Sequence, residues 1–80
     1  MAWTDSDFGV LFDRHPPTEH WSPTDAWCTT VGQRLRLPRY AVKAQWDDAR
    51  SLVLGAESGA SDQLRAYVGR RGWLDRTAEH

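Results

Sequence analysis

Apolar residues recur at helical spacing in three segments of this chain, and residues that start or stop helices bound each segment. The first helix is predicted from Ser22, an N-cap hydroxyl followed by a proline, to about Arg36. It ends there because the residue before Pro38 disfavours helical backbone. Its apolar positions are Trp27, Val31 and Leu35, with Cys28 beside them.

Two further helices follow the same rules. One is predicted over residues 38–54 with Gly55 as its C-terminal cap, and the other from near Ser61 to the arginines before Gly72. After that cap, either Trp73 or Leu74 is predicted to fold back on the helix. The apolar faces consist of Val42, Gln45, Trp46, Ala49, Leu52 and Val53 in the second helix and Leu64, Tyr67 and Val68 in the third.

The N-terminal third has a weaker pattern. Residues 1–21 are predicted to form an irregular arm, in which 5–13 favours a short helical turn and 10–12 a short strand instead. No long stretch alternates with period two. The predicted fold is therefore all-α: one domain over residues 1–80, a compact three- to four-helix domain with a helical body at 22–75 and a frayed tail at 76–80.

Composition restricts the class of protein further. Eighty residues suffice for one small domain, in which five tryptophans can supply much of the core. A single cysteine closes no internal disulfide. No apolar run exceeds three residues, which excludes a transmembrane helix and a signal peptide. We therefore expect no membrane partner and a cytoplasmic location.

The net charge of −1 conceals a segregated pattern. Residues 34–46 carry four basic side chains and no acidic one, whereas acidic residues dominate on both sides. Two interpretations follow from this basic island. Its charges are either neutralised by the acidic segments of the same chain or turned towards an anionic partner.

The segment 31–46 has the spacing of two helices that meet at a tight turn. Gly32 stands where such a unit needs a small residue, and Val42 stands where a branched residue locks the crossing. Val31, Leu35 and Leu37 supply apolar positions around the turn. The segment resembles the helix-turn-helix element of phage repressors and small transcription regulators.

The resemblance implies a DNA-binding regulator of transcription whose partner is double-stranded DNA, with a homodimer as the binding form. Readout of bases would fall to Arg39, Tyr40 and Lys43, and Arg34 and Arg36 would contact phosphates. Arg50 lies on the same strip of the second helix and is also predicted to contact DNA. Arg36 occupies the turn where this family usually has glycine. A helical corner with no DNA contact remains the alternative for this segment.

A second class of function is a small protein-interaction module, either an adaptor or an inhibitor of a larger protein. Its contacts would come from the acidic, aromatic N-terminal arm and from exposed aromatic and arginine side chains. The residues predicted for this role are Trp3, Phe8, Phe12 and Trp21.

Catalytic and metal sites are not predicted. His15, His20, Asp25 and Cys28 are ligand types, but their spacing matches no common metal site. Cys28 lies beside the apolar face of its helix, where a cysteine usually behaves as a small hydrophobic residue. We therefore expect a protein that is not an enzyme and needs no cofactor.

Overall fold

The computed structural model describes residues 3–74, and this part of the chain contains four helices and no strand. The helices are α1 (Asp5–Phe12), α2 (Asp25–Leu35), α3 (Arg39–Val53) and α4 (Asp62–Arg70). The all-α prediction is confirmed. The predicted frayed tail lies outside the described residues.

Hydroxyl side chains begin three of the four helices. Thr4 and Asp7 form a reciprocal capping box at α1, and Ser61 caps α4 as predicted. The prediction that Ser22 caps the first predicted helix, which is α2 in the structure, is wrong by two residues. Thr24 is the N-cap, because its hydroxyl accepts the backbone N–H of Trp27 at 3.1 Å, and Pro23 precedes the cap.

Within the predicted N-terminal arm, the helical turn expected over residues 5–13 is confirmed, so irregular structure is the wrong expectation for residues 5–12. These residues form α1, which buries Phe8, Leu11 and Phe12 almost completely. Burial of three large side chains on one face outweighs the helix-weakening effect of Gly9. The strand alternative for residues 10–12 is excluded as well. Among the described residues of the predicted arm, 3–4 and 13–21 lie outside this helix.

One hydrophobic core joins all four helices. Trp46 on α3 is completely buried in this core, and so are Val42 and Ala49. The remaining buried residues are Phe8, Leu11, Phe12, Cys28, Val31, Leu35, Leu52, Leu64, Tyr67 and Val68. The predicted apolar faces of the second and third predicted helices therefore form the core of the molecule, except that Gln45 and Val53 are only half-buried.

The first of two aromatic clusters fastens α1 to α4. Phe8 lies 5.0 Å from Tyr67, measured between ring centroids, and Trp3 stacks on the outer side of Phe8 at 5.4 Å. Trp73 meets Phe12 edge-on at 6.0 Å, and it folds back on α4 against Tyr67 at 6.1 Å, which confirms the prediction for this residue. Such offset and edge-on pairs stabilise the fold beyond the contribution that comes from burial of each ring.

The second aromatic cluster fastens the connection between α1 and α2 to α3. His15 stacks on Trp21 with 3.8 Å between ring centroids, and Trp21 meets both Trp27 and Trp46 edge-on. The indole N–H of Trp46 donates to the backbone carbonyl of His15 at 2.8 Å. The chain between these helices is therefore held by the core rather than loosely attached.

Helices α2 and α3 make the most extensive helix–helix contact and are joined by three residues, 36–38. A Cβ atom at Gly32 would lie 2.5 Å from the carbonyl oxygen of Leu37 and 3.6 Å from Val42. Arg36 adopts the left-handed conformation with φ of 59°. This is the backbone conformation that glycine would supply, so the turn closes although it lacks glycine.

Candidate nucleic-acid interface

The end of α2, the turn and the start of α3 present three exposed arginines. Arg34 lies in the last turn of α2, Arg36 in the connection and Arg39 at the first position of α3. Within residues 3–74, none of the three forms an ion pair. Tyr40 follows them and is 75% exposed, more than any other large apolar side chain described. This region thus combines free guanidinium groups with an exposed aromatic ring.

The N-terminus of α3 differs from the other helix starts. The first turns of α1, α2 and α4 each carry an aspartate, but that of α3 has no acidic residue. Its N-cap is Pro38, which offers no side-chain acceptor to the first-turn N–H groups. The positive end of the helix dipole therefore adds to the charge of Arg36 and Arg39.

A shallow depression connects these arginines to the exposed face of α2. Arg36 and Arg39 line it together with Thr29 and Gln33. Sequence analysis missed Thr29 and Gln33 as members of this surface. Their spacing of four residues places both on one side of α2, and that spacing was the available signal.

The basic strip further along α3 is partly neutralised within the protein, because Lys43 and Arg50 share one carboxylate. Asp47 accepts hydrogen bonds from Lys43 at 3.0 Å and from Arg50 at 3.2 Å. Arg50 also donates to Ser22 and lies 5.2 Å from the ring of Trp46. Both terminal nitrogens of Arg50 donate hydrogen bonds within the protein. We therefore leave Arg50 out of the candidate DNA contacts. Lys43 remains half exposed, and a surface pair of this kind is weak.

Among residues 3–74, one ion pair joins two helices. Arg70 on α4 donates to Asp5 on α1 at 2.6 Å, and both side chains are largely exposed. This pair links the acidic N-terminal segment to an arginine outside the basic island. It leaves the arginines around the α2–α3 turn untouched.

Two of the four residues predicted for a protein-interaction surface lie in the core, and the other two are half-buried. Phe8 and Phe12 are 1% and 0% exposed, so their prediction as contact residues is wrong. They are core residues because the periodicity of α1 turns both onto Tyr67. Trp3 and Trp21 are half-buried, each with one ring face stacked on a neighbour within the chain.

Comparison with known proteins gives no further guide to this site. No family model, curated protein or solved structure matches this chain. The geometry of the α2–α3 region is therefore the basis for the function proposed below.

The described residues were also compared with the requirements of a membrane-spanning helix and of a metal site. No helix among residues 3–74 combines the length and the apolar character needed to cross a bilayer. The same residues hold no group of three or more His, Cys, Asp or Glu side chains arranged to bind a metal ion. The ring of His15 is packed between tryptophans, and Cys28 is buried on α2.

We expect Cys28 to be unreactive in the native protein. Burial raises the pKa of its thiol above the ordinary value of 9.0, and Lys43 opposes this only in part. The reactive thiolate is therefore scarce at pH 8, and its sulfur is shielded. Labelling with a disulfide reagent should be at least about a hundredfold slower in buffer than in concentrated urea.

Free cysteine at the same pH and urea concentration serves as the control for effects of urea on the reagent. Rapid labelling of the native protein would contradict the structural role of Cys28 and would reopen the question of a nucleophilic cysteine.

Proposed function

We propose that this chain is a small, non-catalytic DNA-binding regulator that places the N-terminal half of α3 in the major groove of double-stranded DNA. The observation that carries the proposal is the set of unpaired arginines Arg34, Arg36 and Arg39 around the start of α3. Exposed arginines without internal partners suit phosphate and guanine, to which they donate two parallel hydrogen bonds.

The proposed contacts follow from position along the α2–α3 unit. Arg39, Tyr40 and Lys43 lie on the exposed side of α3 and would face base edges. Arg34 and Arg36 precede them and would contact phosphates on the flanking backbone. Lys43 would exchange Asp47 for DNA, a modest cost for a half-exposed pair.

A dimer is part of the proposal. One short recognition helix covers only a few base pairs, and small proteins of this kind commonly place two such helices one helical turn of DNA apart. A complex of two chains per duplex site is therefore expected at saturation.

Salt dependence tests the proposal. Binding of the intact protein to a mixed-sequence duplex should weaken steeply as salt increases, because phosphate contacts release condensed counterions. In the double variant Arg39→Ala/Lys43→Ala, affinity should fall roughly ten- to hundredfold, and the slope of log affinity against log salt should become shallower. Fluorescence anisotropy of a labelled duplex at several salt concentrations measures both quantities.

Arg65→Ala is the matched control, since Arg65 is an exposed arginine on α4, away from the α2–α3 turn. It should leave affinity nearly unchanged. Two results would refute the proposal: no binding to duplex DNA at low salt, or equal losses in the double variant and the control.

A further inference from the structure

A groove of about 510 Å³ lies between the end of α1, the segment that follows it and the exposed side of α2. Its size falls within the range of small-molecule sites in proteins. Its apolar walls come from Val10 on α1 and from Trp27 and Val31 on α2. The ring of Trp27 is half-buried, so part of it remains available to a ligand.

Two arginines stand in this groove, Arg14 from the segment after α1 and Arg34 from the last turn of α2. Both are exposed, and neither forms an ion pair within the described part of the chain. Asp13 is the single acidic residue lining the groove, and its carboxylate lies beside Gly9. The charges of Arg14, Arg34 and Asp13 sum to one net positive charge, which matches a monoanion better than a dianion.

The wall that carries Arg14 is held in place before any ligand arrives. The neighbouring His15 stacks on Trp21 at 3.8 Å and meets Trp27 edge-on at 5.7 Å. Its backbone carbonyl accepts the indole N–H of Trp46. A groove with a fixed wall loses little conformational freedom on binding, which favours affinity for a small molecule.

We propose that this groove binds a small aromatic carboxylate. The aromatic ring lies against Trp27, Val10 and Val31, and the carboxylate receives hydrogen bonds from Arg14 and Arg34. A planar guanidinium matches the geometry of a carboxylate, and an aromatic ring suits the flat indole face. The site is distinct from the proposed DNA-reading residues of α3, but it shares Arg34 with the proposed phosphate contacts.

Titration with indole-3-acetate, followed by two-dimensional NMR of backbone amides, tests the proposal. A ligand of this size should bind with a Kd of about 1 mM or tighter. The shifted amides should cluster at residues 9–15 and 27–34. Indole-3-acetamide has the same shape without the charge and should bind roughly tenfold more weakly.

Arg14→Gln and Arg34→Gln should each weaken binding of the acid about tenfold and leave binding of the amide unchanged. Arg65→Gln on α4 is the control and should change neither. The spectra themselves show whether each variant is folded. Equal binding of acid and amide, shifts outside the groove, or no saturable binding would each overturn the proposal. No DNA is present, so the outcome is independent of the proposed DNA-binding function.

Discussion

Trp46→Phe is expected to lower the free energy of unfolding by about 2–4 kcal/mol. The ring of Trp46 is completely buried, and its N–H donates to the carbonyl of His15 at 2.8 Å. Phenylalanine would leave part of the ring volume empty and that carbonyl without its donor. Urea unfolding followed by far-UV circular dichroism measures the loss.

Trp27→Phe is the comparison variant, at a tryptophan with less burial and no ring hydrogen bond. Trp27 belongs to the same aromatic cluster but is only half-buried, and no ring hydrogen bond of Trp27 is found among the described residues. We expect a loss of about 1 kcal/mol or less in this variant. Equal losses in the two variants would contradict the expected combined contribution of the burial and the hydrogen bond of Trp46.

Gly32→Ala is expected to lower the free energy of unfolding by about 1–3 kcal/mol, the usual cost of overpacking. The added methyl group would lie 2.5 Å from the carbonyl oxygen of Leu37, which is backbone and cannot turn aside. The carbonyl of Gly32 itself accepts the N–H of Leu37 at 2.8 Å, so the turn is fixed from both sides. Chemical unfolding again measures the effect.

Gly9→Ala is the matched control, because Gly9 is also a helical glycine but has room for a methyl group. The nearest atom to a Cβ there would be an oxygen of Asp13 at 3.7 Å. Alanine has the higher helix propensity, so this variant should be more stable by roughly 0.5–1 kcal/mol. The two substitutions therefore have opposite expected signs. A stabilised Gly32→Ala would mean that α2 and the turn are not in close contact.

The parts of the fold that follow local rules were predictable from the sequence. The caps at Ser61, Gly55 and Gly72 and the apolar face of α3 each depend on residues a few positions apart. Docking of α1 was not predictable, because it depends on Phe8 meeting Tyr67 far along the chain. Periodicity indicated which face of the helix is apolar, but it carries no information about a distant partner.

The candidate interface shows the same division. Lys43 and Asp47 are four residues apart on one helix, so their ion pair was predictable from the sequence. The contact of Arg50 with Ser22 spans the fold, and no local pattern indicates it. Gly32 was correctly placed at a close approach. That approach is required by the helical corner itself, so it supports the fold without deciding whether the corner binds DNA.

The edge-on arrangement around Trp21 has an optical consequence. Its ring centroid lies 5.1 Å from that of Trp27 and 5.2 Å from that of Trp46, with interplanar angles of 84° and 72°. Indole transition dipoles at this separation couple, and coupled indoles produce paired bands of opposite sign in circular dichroism. These bands overlap the helical signal, so the ellipticity of this protein reports the packing of its tryptophans as well as its helix content.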